Sequence, residues 1–359
     1  MLAQTPITLP CGQVVPNRIG KSALTEGLSD SLNRATGRHC KLYEAWSRGG
    51  SGLLVTGNIQ VDRRYLERPG NPAIDGPQSE DQMARLRAYA EASMVGGNQT
   101  WVQLGHPGRQ CSPLVNTSPV GPSDIGLGGA AGAVRPLTDA EIVETIERFA
   151  FAAGVVKEAG FSGVQLHGAH GYLISSFLNP LVNTRTDRWG GALENRARLL
   201  LDALAAVRER VGPDYPVSCK VNSSDFQQGG FSLEDMNTLA GWLDSAGLDL
   251  LEISGGNYEH PAILFGPDGQ PTSTSSRVRE AYFMEFAADI RKALKTTPLM
   301  VTGGIRSRDV MERALSSGDC EMIGIGRPVC GDPDCVNKLL KEGAPALPDY
   351  EVRRSALVV

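Results

Sequence analysis

The sequence predicts an α/β protein: one (β/α)8 barrel, the TIM barrel, preceded by a short N-terminal β-hairpin. Three observations lead there. Short apolar runs alternate with amphipathic stretches eight times along the 359 residues, and such alternation builds a parallel sheet with helices outside. No Gly-x-Gly-x-x-Gly opens a helix after the first strand, which argues against an open doubly wound sheet. Nearly every strand-like run ends on a polar residue or a glycine, as expected of a barrel whose active face lies at the C-terminal ends of its strands.

Residues 1–17 supply the hairpin, with Ile7-Thr8-Leu9 and Val14-Val15 flanking turn residues. The first barrel strand is expected over Arg18–Leu24, ending at Thr25, and a helix over His39–Arg48, closed by Gly49-Gly50. Gly52–Thr56 reads as the second strand. Ser79-Glu80-Asp81-Gln82 is a capping-box pattern opening a helix with Met83, Leu86 and Ala90 on one stripe. Thr100–Leu104 is the third strand. The loop over 106–136 is rich in Gly, Pro and Ser, and its length suggests a lid or substrate loop. Thr138 caps a helix carrying Ile142, Ile146, Phe149, Ala153 and Val156 on one face. Phe161–Leu166 is the fourth strand, and Leu193 to Val211 the helix after it. Val217–Val221, Leu248–Ile253, Pro298–Thr302 and Cys320–Ile325 complete the strands. Helices are expected from Ser232, over 278–294, from Ser307 and over 333–341. A second long loop spans 255–277. No domain boundary interrupts residues 1–359, so one domain is expected.

Composition narrows the function. A net charge of -5 gives no reason to expect nucleic acid or an anionic membrane as partner. The seven cysteines are scattered and form no Cys-x-x-Cys, so they read as free thiols of a reducing compartment rather than metal ligands. With no secretory leader and no apolar run of spanning length, the expected location is the cytoplasm.

The chemistry concentrates at the strand ends. His167, His170 and Tyr172 fall within six residues just after the fourth strand. Gln165 and His167 share one strand face, with Val164 and Leu166 on the other. The alternative is a satisfied core histidine and a surface tyrosine. Thr25, Gly57, Gln103, Lys220, Gly303-Gly304 and Gly326-Arg327 end the other strands, which together imply a flat polar ligand. Glycines after strands seven and eight, with Arg327, suit a phosphate, unless Arg327 pairs with Asp332. Lys220 lies with Ser218 and Asn222 on the inward face and must find an anion. That anion could be a ligand or Glu252, and a Schiff-base lysine is the remaining option.

These residues match a family. His167-Gly-Ala-His170-Gly-Tyr172-Leu, Phe177-Leu-Asn-Pro180 and Asn183-Thr-Arg-Thr-Asp-Arg-Trp-Gly-Gly-Ala-Leu-Glu-Asn-Arg196 carry the likeness. Gln103-Leu-Gly-His-Pro-Gly-Arg109, Ser254-Gly-Gly256 and Gly326-Arg-Pro328 agree with it in order and spacing. The chain resembles the Old Yellow Enzyme family of FMN-dependent NADH:flavin oxidoreductases, from Asn17 to Pro333. The resemblance implies bound FMN, NAD(P)H as electron donor, and reduction of the activated C=C bond of an enone-type small molecule. It implies that Ala23, Leu24, Thr25 and Gly57 line the flavin ring, with the Thr25 hydroxyl near its O4 and N5. It places Gln103 on the pyrimidine edge, Lys220 near N1 and O2, and Gly303, Gly304, Gly326 and Arg327 on the phosphate. His167 and His170 would hold the substrate carbonyl and Tyr172 would donate the proton.

Three departures qualify the match. The family usually has arginine where Lys220 stands, and a lysine makes no fork of bonds. Some members have asparagine at the position of His170 and some a cysteine at that of Thr25. No cysteine cluster precedes Val359, so FMN alone is expected. An NADH oxidase or an oxidative amine demethylase on the same barrel is the nearest alternative. A flavin-binding scaffold and a flavin-free aldolase using Lys220 are the readings from other classes. Nicotinamide preference and oligomeric state, a homo-oligomer included, are left open.

Overall fold

Eight parallel strands close on themselves in the computed structural model, which describes residues 1–128, 133–225, 227–254 and 286–350. The hairpin is β1 (Ile7–Thr8) with β2 (Val14–Val15). The barrel begins with β3 (Ile19–Lys21), followed by α1 (Gly37–Arg48) and β4 (Leu53–Val55). The short β5 (Ile59–Gln60) precedes α2 (Glu80–Ser93) and the long β6 (Gln99–Gly105). A small pair, β7 (Val120–Gly121) with β8 (Arg135–Pro136), folds the following loop against itself.

Next come α3 (Asp139–Glu158), β9 (Gly163–Gly168), the short α4 (Leu173–Leu178) and α5 (Leu193–Val211). β10 (Val217–Asn222), α6 (Leu233–Ser245) and β11 (Leu250–Ser254) follow. After a described helical stretch over 286–293 (α7) come β12 (Leu299–Thr302), α8 (Arg308–Ser317) and β13 (Met322–Ile325). The chain then forms α9 (Arg327–Gly331) and α10 (Cys335–Leu340).

The strand order β3-β4-β6-β9-β10-β11-β12-β13 returns to β3, where Ile323 is in register with Ile19. The expected barrel is therefore the observed one. Local rules explain its helices: Ser79, Thr138 and Ser232 each accept from the backbone N–H three residues on, closing capping boxes. Differences are confined to ends. The first strand is three residues, not seven, because the chain leaves the sheet at Ser22 to form the site. The fourth runs to Gly168, so His167 is a strand residue. The expected 333–341 helix is the slightly shorter α10, and the short α9 before it is an additional helix. The 255–277 loop, and the start of the helix expected over 278–294, lie outside the described residues.

Two layers fill the barrel. Toward the N-terminal ends, Leu53, Val55, Trp101, Leu250, Met300 and Met322 form an apolar cluster with Ile7, Leu9 and Val15 of the hairpin. The hairpin thus plugs the barrel floor. Trp101 fits across it because its neighbour on β9 is Gly163, where a Cβ would stand 2.4 Å from the indole.

Above this layer lies a polar belt. Gln103 Nε2 donates to Gln165 Oε1 (2.8 Å), and Gln165 Nε2 to Glu252 Oε2 (2.7 Å). Glu252 Oε1 pairs with Lys220 Nζ at 3.0 Å and accepts from Thr302 Oγ1 at 2.7 Å. Ser22 Oγ lies 2.8 Å from Thr302 Oγ1. Satisfying one another, these buried groups set a fixed polar floor for whatever binds above.

Candidate active site

A cavity of about 440 Å³ opens at the C-terminal ends of the strands, a volume suited to a cofactor-sized ligand. Ala23, Leu24 and Thr25, just beyond β3, form one side, and Gln103 and Lys220 part of the floor. His167, His170 and Tyr172 form another side. Their rings meet edge to face: His167 lies 5.1 Å from His170 and 4.8 Å from Tyr172, centroid to centroid. Tyr172 is only 5 % exposed, so it is a wall of the cavity and not a surface anchor.

The backbone dictates this cluster. His170 adopts a left-handed conformation, φ 65°, which is costly for a non-glycine residue and is held by tertiary contacts. Its N–H donates to Asn222 Oδ1 (3.0 Å), and its Nε2 lies 3.0 Å from Ser254 Oγ. The Ala169 N–H donates to His167 Nδ1 at 3.3 Å. That nitrogen is therefore unprotonated, and the imidazole proton sits on Nε2. Burial, reinforced by the Lys220 charge, pushes both imidazoles well below the ordinary histidine value. The pair is neutral at physiological pH.

A smaller cavity of about 140 Å³ adjoins the first at Leu24, which lines both. Its wall is the glycine-rich backbone at the ends of β12 and β13, including Gly303, Gly304, Gly324 and Gly326, with Arg306 and Arg327. A Cβ at Gly324 would collide with Thr302 Oγ1, so only glycine lets these strands approach. Bare amides and the Arg327 guanidinium fit an anion such as a phosphate, while the Arg306 guanidinium is ion-paired with Asp349. The donor set thus matches a flat heteroaromatic group joined to a phosphate. Asp332, the alternative partner for Arg327, is paired with Lys338 at 2.7 Å.

Gly57 lines neither cavity. Its N–H points to Tyr43 Oη (2.9 Å) and Glu26 Oε1 (3.1 Å), behind the 23–25 wall. Asn58 lines the cavity in its place, with Glu67, Arg68, Gln110 and Cys330. Sequence reasoning missed these five. Glu67 and Arg68 lie in a connection without periodicity, which gave no signal. Gln110 belongs to the 106–136 loop, whose start is a fixed wall: Gln110 Nε2 donates to His170 O at 2.8 Å.

A polar-floored barrel with this pair of adjoining cavities can hold a flat polar cofactor and its phosphate. The family model for the NADH:flavin oxidoreductase / NADH oxidase family matches residues 5–345, and the chain belongs to that family. A curated NADH-dependent flavin oxidoreductase of Hypocrea jecorina (strain QM6a) is 37% identical over 349 residues, covering 92% of this chain and 87% of that protein. An NADH oxidase of Thermoanaerobacter brockii is 34% identical over 92% of this chain and 49% of its own length. Among solved structures, the old yellow enzyme homologue from Zymomonas mobilis superposes with a TM-score of 0.81 at 26% identity, covering 98% of this chain and 96% of that one. A 2-naphthoyl-CoA reductase complex gives a TM-score of 0.86 at 27% identity, over 96% of this chain and 52% of that one. The protein is an NAD(P)H-dependent flavin oxidoreductase with FMN as its cofactor.

Proposed function

We propose that this enzyme reduces the activated C=C bond of an α,β-unsaturated carbonyl compound with electrons from NAD(P)H. The observation that carries the reading is the neutral His167–His170 pair set edge to face with Tyr172 in one cavity wall. In this reading Ala23, Leu24, Thr25, Gln103 and Lys220 hold the flavin ring, and Gly303, Gly304, Gly326 and Arg327 its phosphate. Gly57 supports the ring's surroundings through Glu26 and Tyr43 rather than by contact. Residues 1–359 act as one FMN-binding unit.

When bound, FMN would supply hydride chemistry, with NAD(P)H as its electron source and the substrate β-carbon as the acceptor. The chain supplies the rest. His167, protonated on Nε2, and His170 donate hydrogen bonds to the carbonyl oxygen, where negative charge develops as hydride arrives. Neutral imidazoles suit this role, since they hold the charge without surrendering a full proton. The Tyr172 hydroxyl then gives its proton to the α-carbon, and solvent restores it. The product has gained one hydride and one proton across the former double bond.

The test is an anaerobic absorbance titration of FMN-loaded protein with NAD(P)H, then 2-cyclohexenone. Bleaching followed by recovery on adding the enone supports the proposal. Recovery only on admitting air would shift the reading to an NADH oxidase. Tyr172→Phe is expected to slow the enone step by about 10²-fold or more, with flavin reduction nearly unchanged. Equal losses in both half-reactions would remove Tyr172 as proton donor.

A further inference from the structure

Charge in the wall of the larger cavity is unevenly committed. Among the described residues that line it, Lys220, Glu67 and Arg68 carry formal charge beside the neutral histidines. Lys220 is held by Glu252 at 3.0 Å in the polar belt. Glu67 is occupied on both oxygens: Oε2 accepts from Asn58 Nδ2 (2.9 Å) and Thr25 Oγ1 (2.7 Å), and Oε1 accepts from Arg68 Nη2 (3.0 Å). Its side chain is 13 % exposed, against 55 % for that of Arg68. The two members of this ion pair therefore differ in what they offer an incoming molecule. The carboxylate is sheltered and fully bonded. The guanidinium reaches solvent, and its Nε and Nη1 have no partner among the described residues. The backbone keeps it there: the Arg68 N–H donates to Asn71 Oδ1 at 2.8 Å, and Gly70, at φ 93°, accepts from the Ser29 N–H at 3.0 Å. The Arg68 stem runs beside Gly27, where an added Cβ would lie 3.9 Å from Cδ.

We propose that Arg68 is a specificity residue: the substrate carries a carboxylate in addition to its activated C=C bond, and the Arg68 guanidinium receives that carboxylate in the cavity wall. The inference rests on the enone-reducing function proposed above and names the substrate class within it. A planar guanidinium matches a carboxylate edge to edge, through charge-assisted bonds stronger than those between neutral groups. The cavity of about 440 Å³ has to admit a flat cofactor as well, which suits a small acid rather than a long chain. With the histidines on the carbonyl oxygen and Arg68 on the acid, two anchors fix the substrate in one orientation. A neutral enone has only the first of them.

The experiment uses FMN-loaded protein, reduced anaerobically without nicotinamide. It follows flavin reoxidation by 4-oxocyclohex-2-ene-1-carboxylate and by its neutral methyl ester, and saturation gives a Kd for each. Arg68→Met is expected to weaken the acid by about tenfold or more relative to the ester, with the limiting rates nearly unchanged. That substitution also uncovers the Glu67 charge, which by itself would repel an acid. It is therefore repeated in a Glu67→Gln background, where the acid-to-ester ratio is expected to change by a similar factor. Arg68→Lys, which keeps the charge and loses the fork, is expected to lose less than Arg68→Met. A ratio unmoved by Arg68→Met would overturn the inference. So would a change that disappears in the Glu67→Gln background, since the effect would then belong to Glu67. Reoxidation by neither compound in the native protein would instead overturn the enone reading itself, and the inference with it.

Discussion

Two buried lysine–glutamate pairs flank the active cavity, and they differ in what they do. Lys220 and Glu252 sit in the polar belt 3.0 Å apart, with Lys220 also lining the cavity. Lys21 and Glu26 lie behind the 23–25 wall at 3.9 Å, with Lys21 wholly buried. Burial alone would raise the Glu252 carboxyl, but Lys220, Thr302 and Gln165 outweigh it and hold it below its ordinary value. Burial wins in the second pair: Lys21 is lowered to about 8 despite Glu26, and Glu26 is raised despite Lys21, Tyr43 and the Gly57 amide. The first pair is a charged device facing a ligand. The second is a scaffold in which the Lys21 ammonium also bonds Val55 O (2.9 Å) and lies 4.2 Å over the Trp46 ring. Trp46 Nε1 in turn donates to Val329 O at 2.9 Å, tying the helix that begins at Arg327 to the same cluster.

The comparison breaks most visibly on single removal. Lys21→Met would leave the buried Glu26 with only the Tyr43 hydroxyl and the Gly57 amide as partners and is expected to cost about 3–5 kcal/mol of stability. Lys21→Met with Glu26→Gln removes both charges and is expected to stay within about 1–2 kcal/mol of the native protein. Urea unfolding of the single and double variants measures the difference. Equal losses would mean that the pair contributes through shape and not through its charges.

Lys220→Met is the matching probe of the other pair. Glu252 keeps its bonds from Gln165 and Thr302, so the stability loss is expected to be smaller, about 2 kcal/mol. The distinguishing effect falls on the ligand. Removing a cation from the floor is expected to disfavour reduced, negatively charged FMN by about tenfold, ~30 mV. Lys21→Met/Glu26→Gln, measured the same way, is expected to leave the potential near native. Similar potential shifts in both proteins would erase the distinction drawn here.

The contrast also marks what the sequence could express. Alternation within strands is local, so Gln165, His167 and Lys220 could be assigned to an inward face, and Glu252 was a nameable partner for Lys220. The barrel was equally legible, because capping boxes and amphipathic stripes at Ser79, Thr138 and Ser232 mark three of the helix starts. In the sequence, Lys21 is simply part of a strand-like run. Its partners Tyr43, Val55 and Trp46 come from α1 and β4, and no periodicity links them. Glu67 was invisible for the same reason, since its link to Thr25 and Asn58 is a loop-to-loop contact. Gly57 shows the limit of reading a strand end: the position is at the site, but its amide faces away from the cavity.

The finest separation of the two pairs is in pH. Lys21, lowered from 10.5 to about 8, loses its proton in the folded protein before it would in the unfolded chain. Between those values the unfolded state binds more protons, so stability attributable to Lys21 rises with pH. The gain is expected to be about 1 kcal/mol between roughly pH 8 and pH 9. Glu26, raised by burial, is removed together with Lys21 in the double variant, so the difference belongs to the pair. Urea midpoints of the native protein and of Lys21→Met/Glu26→Gln across this range isolate the effect, because other groups contribute equally to both. A slope shared by the two proteins would assign the rise elsewhere and leave Lys21 charged in the fold.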